Sequence, residues 1–197
     1  YSITDMRILV TGSNGQLGSE MVALQAQQTH HQWFNLDINE LDITDKYAVD
    51  QFVVNNKIDG IINCAAYTNV DKAEEDVVLC YKVNRDSPQY LAQAIEKVGG
   101  FIIHISTDYV FDGTNNIPYT EQDKPNPVTI YGKSKIEGEQ YVCESCKQHI
   151  IIRTAWVYSS YGKNFVKTMI KLGKEKPNLG VIFDQIGSPT YARDLAK

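Results

Sequence analysis

A chain of 197 residues with 43% hydrophobic content can bury one good core and is somewhat longer than the commonest single domain. Its net charge of −5, with both signs mixed along the chain, gives no electrostatic footing for nucleic acid or an anionic membrane surface, so a small-molecule partner is expected. The opening YSITDMRILV lacks a basic segment followed by a long apolar one, and no apolar run approaches the ~20 residues of a membrane span, which predicts a cytoplasmic protein.

RILVT (7–11) predicts a first strand, and TGSNGQLG (11–18) leads from it into a helix over 16–28. Gly12, Gly15 and Gly18 form GxxGxxG, a variant of the dinucleotide fingerprint in which glycines let the backbone approach a pyrophosphate held at a helix N-terminus. The plainer alternative is a tight turn needing positive φ, with Gly18 serving helix packing. HQWFNL (31–36) predicts the second strand, and Asp37 at its end can accept hydrogen bonds from adenosine ribose hydroxyls. No arginine stands between Arg7 and Arg85 to meet a 2′-phosphate, and Asp37 would repel one, so NADH is expected to bind as well as NADPH.

Further along, 44–56 has helical spacing, with Asp42 readable as an N-cap beside Thr44. DGIINCA (59–65) predicts a strand, 76–98 a long helix, and FIIHIS (101–106) another strand that carries Ser106 and Thr107 to its carboxyl end. That is the edge where the ligand crevice of a parallel sheet lies, so either hydroxyl could hold a carbonyl oxygen. His104, one register off Ser106, reads as a core histidine or one that supports the site from behind.

After the Pro-, Asn- and Thr-rich loop 113–130, YGKSK opens a helical run over 131–147. Tyr131 and Lys135 are four positions apart and share a helix face. A cation near the phenol stabilises its phenolate, and a tyrosine so placed can exchange a proton with a carbonyl oxygen while a nicotinamide exchanges hydride with the attached carbon. HIIIRT (149–154), a helix over 163–176, a strand at LGVIF (179–183) and a helix begun in GSPTYARDLAK (187–197) complete the pattern.

Several strands are continuous Ile/Val runs, as in a sheet buried on both faces. Their alternation with helices predicts an α/β fold: a doubly wound Rossmann-type parallel sheet with helices on both faces and the C-terminal substrate lobe largely absent. Cys64 and Cys80 sit in apolar contexts; CESC (143–146) reads as two thiols on a helix, since no further Cys or His lies at zinc spacing and no strand precedes it as in a redox motif. No metal ligands are identified.

These residues resemble the extended short-chain dehydrogenase/reductase family. Within it, TGSNGQLG, LDITD (41–45), NCAAYTNVDKAE (63–74), VN (83–84), ISTDYVFDG (105–113), YGKSKIEGE (131–139), RTAWVYS (153–159), GKNFVKTM (162–169) and DQIGSPTYARDLA (184–196) are similar to the dTDP-4-dehydrorhamnose reductases, from Met6 to the end of the chain. The resemblance implies NADPH- or NADH-dependent reduction of the C4 ketone of dTDP-4-dehydro-L-rhamnose to dTDP-L-rhamnose, a cell-envelope sugar donor. It makes Tyr131 the proton donor, gives Lys135 the nicotinamide ribose and the lowering of the Tyr131 pKa, and gives Thr107 the C4 oxygen.

On the same resemblance Asp108 and Trp156 contact the deoxysugar, although Trp156 reads equally as packing after a core-like strand. Gly15, Gln16, Leu17, Asp37, Asp42, Ile43, Cys64, Ala65, Ala66, Tyr67 and Ile105 line the cofactor. Residues 1–197 form one NAD(P)-binding Rossmann-type domain, with parts of the substrate pocket from 107–130 and 154–197, and read as a fragment without the C-terminal substrate lobe. Some relatives form a homodimer with Mg²⁺ at the contact, whose ligands have no counterpart that this sequence identifies. Two other readings remain: a dinucleotide-binding regulatory subunit resembling that of methionine adenosyltransferase, and another nucleotide-sugar epimerase or reductase.

Overall fold

The apolar runs pair as their continuity predicts. In the computed structural model, which describes residues 5–28 and 30–197, β1 (Arg7–Thr11), β2 (Gln32–Leu36), β3 (Gly60–Asn63), β4 (Phe101–Thr107) and β5 (His149–Thr154) form one wholly parallel sheet in the order β2-β1-β3-β4-β5. Leu9, Val10, Ile61 and Ile102 of the central strands are fully buried. The order reverses at β1, which leads one way to β2 and is flanked on the other side by β3, so the crevice opens beyond the carboxyl ends of β1 and β3.

Right-handed crossovers put α1 (Gln16–Leu24) on one face and α2 (Lys46–Asn55), α5 (Ser87–Lys97) and α6 (Ile130–Ser145) on the other. Val49 and Val53 of α2, Leu91 and Ile95 of α5 and Val142 of α6 close the main core against Leu9, Ile61 and Ile102. Asp45, not Asp42, is the N-cap of α2: its carboxylate accepts from the Tyr47 and Ala48 amides. Thr129 caps α6 by accepting from Gly132 N, which fixes where that helix starts and so where Tyr131 points.

The long helix over 76–98 runs unbroken from Val77 to Lys97 as α4 (Val77–Tyr81), a π-helical segment Lys82–Asp86 and α5, with α3 (Val70–Ala73) before it. One strand expectation is corrected. LGVIF (179–183) is not a strand; it pairs with no strand among the described residues, and Val181, Ile182 and Phe183 are exposed. A short apolar run acquires strand geometry only from a neighbouring ladder, which this run lacks. Instead β6 (Val157–Tyr158) pairs with β7 (Thr190–Tyr191) beside the crevice, α7 (Phe165–Glu175) lies between them in sequence, and α8 (Ala192–Leu195) is a single turn that packs on α1.

Candidate active site

The glycine loop is built by close approach. Gly12 holds φ +66°, and a Cβ there would stand 2.7 Å from Ala65 N; a Cβ on Gly18 would stand 2.2 Å from Gly12 O. Asp37 braces this loop, accepting from Asn14 N at 2.9 Å. Gly15 is the N-cap of α1 and no side chain caps that helix, which leaves its first amides to a ligand. The loop that follows β6 clasps the same helix: Asn164 Nδ2 donates to Gln16 Oε1 (2.9 Å) and Ser159 Oγ to the buried Glu20 Oε1 (2.6 Å).

One cavity of about 940 Å³ runs from this loop along the carboxyl ends of the strands. Gly12, Gly15, Gln16, Leu17, Asp37, Asp42, Ile43, Cys64, Ala65, Ala66, Tyr67, Ile105, Thr107, Asp108, Tyr131, Lys135 and Trp156 all line it. Gly18 does not; its role is to let α1 pack on the loop. Trp156 is 43% exposed, with φ +50°, so it is a rim residue and not a core one. Asp42 accepts from Thr44 N at 2.9 Å in a local turn, and bonds to Thr44 hold its carboxyl below the ordinary value.

Tyr131 and Lys135 share the inner face of α6 and are almost wholly buried. Burial pushes the Tyr131 phenol up to about 12, against a lowering contribution from a hydrogen bond with Thr107. Lys135 Nζ donates to Ile105 O (2.7 Å) and meets His104 Nε2 (3.3 Å), and its own burial brings it down to about 8. Thr107 Oγ1 accepts from Tyr109 N and donates to Asp108 Oδ1, and burial raises the Asp108 carboxyl. Ser106, the alternative hydroxyl, is spent on Glu139, which also takes a two-pronged bond from Arg153. Burial alone pushes Cys64 up to about 12, so it lines the cavity as an unreactive thiol.

Sequence reasoning missed the residues that brace this face. Asn84, in the π-helical segment, accepts from Tyr67 N (2.8 Å) and donates to Tyr67 O (3.0 Å) and Ser134 Oγ (3.1 Å), tying the cofactor-side loop 64–67 to α6. Gly138 lets the two elements meet, since a Cβ there would stand 2.1 Å from Asn84 O. The signal was the VN pair (83–84) shared with the family, whose asparagine needs partners once buried. Cys146 ends α6 buried and Cys143 is exposed on it, and both are free thiols. No helix among the described residues is long and apolar enough to cross a membrane.

The same chain matches known proteins along nearly its whole length. Residues 6–197 match the family model described as the RmlD substrate binding domain. Over 190 residues it is 46% identical to the dTDP-4-dehydrorhamnose reductase of Aggregatibacter actinomycetemcomitans, covering 96% of this chain and 65% of that protein. With the dTDP-4-dehydrorhamnose reductase of Sinorhizobium fredii it shares 43% over 192 residues, covering 97% and 64%. The chain thus spans a little under two thirds of the length of these curated relatives.

Among solved structures, it superposes on a dTDP-4-dehydrorhamnose reductase of Clostridium acetobutylicum with a TM-score of 0.94 at 48% identity, covering 97% of this chain and 68% of that one. The corresponding protein of Bacillus anthracis, solved in complex with NADP, gives 0.94 at 44% identity, covering 98% and 68%.

Proposed function

The chain belongs to the RmlD substrate binding domain family, and on that premise we propose that it is the dinucleotide-binding part of a reductase that converts the C4 ketone of dTDP-4-dehydro-L-rhamnose to the alcohol of dTDP-L-rhamnose. The observation that carries this reading is the convergence of Tyr131, Lys135 and Thr107 at the end of a cavity that begins at an uncapped glycine loop. The loop fits a dinucleotide pyrophosphate because the space a Cβ would fill at Gly12 is already taken by Ala65, so the backbone itself faces the ligand. When bound, the reduced nicotinamide supplies the hydride that the ketone carbon accepts.

The chain's own groups handle the oxygen and its proton. Ketone reduction needs an acid, and a phenol pushed up to about 12 keeps its proton at neutral pH. Tyr131 gives that proton to the C4 oxygen, Thr107 holds the same oxygen, and Lys135 binds the nicotinamide ribose. Asp108 and Trp156 contact the deoxysugar from the rim. Asp37, at the far end, takes the adenosine ribose, and both NADPH and NADH serve.

Residues 1–197 act as one dinucleotide domain that contributes parts of the sugar pocket from 107–130 and 154–197. The enzyme works in the cytoplasm, as a homodimer by the family resemblance. Among the described residues no three or more His, Cys, Asp or Glu side chains are grouped as a metal ion would need.

The test is oxidation of NADPH, with NADH in parallel, on adding dTDP-4-dehydro-L-rhamnose, with the product identified as the 4-alcohol. Turnover that depends on this sugar nucleotide is expected. Dinucleotide binding without turnover, together with tight binding to a methionine adenosyltransferase, would replace the enzyme by a regulatory subunit. Turnover only with another sugar nucleotide would replace the substrate, and an absolute NADPH requirement would overturn the role given to Asp37.

A further inference from the structure

Behind Lys135 lies a buried line of polar atoms that crosses three strands. Thr11 Oγ1 donates to Asn63 Oδ1 (2.7 Å), the Ala65 amide donates to the same oxygen (3.2 Å), Asn63 Nδ2 meets His104 Nδ1 (2.9 Å), and His104 Nε2 meets Lys135 Nζ (3.3 Å). Asn63, His104 and Lys135 are 0%, 0% and 1% exposed, so solvent does not correct a mismatched pair.

The polarity of this line runs one way. A backbone N–H only donates, so the Asn63 atom facing Ala65 is the oxygen and its NH₂ faces His104. Nδ1 therefore accepts. Burial and the nearby Lys135 push His104 far below its ordinary value, so the ring is neutral and its single proton sits on Nε2, aimed at Lys135. An ammonium there sets N–H against N–H, whereas an amine offers its lone pair; Ile105 O takes a Lys135 N–H in either state.

We propose that Asn63 and His104 are positioning residues for Lys135: they present it with a ring N–H, favour its amine over its ammonium, and so make the ammonium a readier proton donor. In catalysis, which rests on the ketone-reduction reading above, the Lys135 ammonium gives a proton to the Tyr131 phenolate after each turnover, and the amine left behind takes one back from water in the open cavity that it lines. The other titratable groups bearing on Lys135 are Glu139 and Tyr131 of its own helix and Cys80 of α4. Glu139 and Cys80 favour the ammonium, while Glu139 is itself matched by Arg153 of β5.

The variant Asn63→Asp reverses the line. Its carboxylate accepts from Thr11, Ala65 and a His104 Nδ1–H, which leaves Nε2 to accept from the Lys135 ammonium. Proton–nitrogen correlation NMR on the whole protein, read at the His104 ring and at Lys135 Nζ, tests this without any substrate. The ring proton is expected on Nε2 in the wild type and on Nδ1 in Asn63→Asp. The Lys135 midpoint should move up by about one pH unit or more, and the alkaline limb of kcat with it.

A wild-type ring proton on Nδ1 overturns the proposal, and that measurement needs no variant. So does a ring proton that stays on Nε2 in Asn63→Asp, or a Lys135 midpoint that ignores the switch. Absence of sugar-nucleotide turnover in the wild type would instead refute the enzymatic reading and leave the spectra to judge the polarity.

Discussion

Replacing Lys135 by Met should make the protein more stable at neutral pH while removing its activity. Lys135 is 1% exposed, and a fall from the ordinary 10.5 to about 8 corresponds, at ~1.4 kcal/mol per pH unit, to a cost of about 3 kcal/mol for keeping the ammonium in the fold. Met fills the same channel without charge but leaves Ile105 O without its donor, at about 1–2 kcal/mol. The net gain is about 1–2 kcal/mol, or roughly 2–8 °C in Tm for a chain of this size.

The sign with pH is fixed. Between about pH 8 and 10.5 the folded wild type binds fewer protons than its unfolded chain, so its stability rises with pH, whereas the Met variant gains nothing from that group. By about pH 9.5 the wild type recovers about 2 kcal/mol and the two proteins become nearly equal. Thermal unfolding followed by circular dichroism, without added dinucleotide because a ligand shifts Tm by mass action, reads both quantities. A Met variant less stable than wild type at neutral pH, or a gap indifferent to pH, would refute the reasoning.

Tyr131→Phe removes the transferable proton and should lower kcat by roughly two to four orders of magnitude with dinucleotide affinity unchanged, measured by steady-state kinetics and equilibrium binding. Asn84→Ala leaves the Tyr67 amide and carbonyl without their partners, so urea unfolding should show a loss of about 2–3 kcal/mol and weaker dinucleotide binding, because loop 64–67 comes free of α6. Gly18→Ala forces a methyl to 2.2 Å from Gly12 O; a destabilisation of about 1–3 kcal/mol is expected, with a rise in dinucleotide Kd as the loop shifts.

What could be read beforehand was what depends on neighbours in sequence. The glycine loop between β1 and α1, the YxxxK pair on α6 and the Ile/Val strands all declare themselves through local spacing, and the cavity unites their residues. Asn63, Asn84 and Glu139 lie in stretches shared with the family, but their roles were not legible because they come from partners far along the chain, on β4, at loop 64–67, and on β4 and β5. The surroundings of Lys135 were hidden for the same reason: four positions of helix say that two groups share a face, not that one is desolvated against a carbonyl and a histidine. LGVIF shows the converse, a strand-like composition with no ladder to join.

The clasp between the segment after β6 and α1 sets the order in which the protein can mature. Ser159 meets Glu20 across 139 positions and Asn164 meets Gln16 across 148, among the longest-range side-chain contacts described, so their closure carries a large entropic cost and comes late in folding. A nascent chain that has not yet released Ser159 and Asn164 from the ribosome holds its first helix without this brace. Competence to take up dinucleotide therefore waits on residues made long after the loop that receives it.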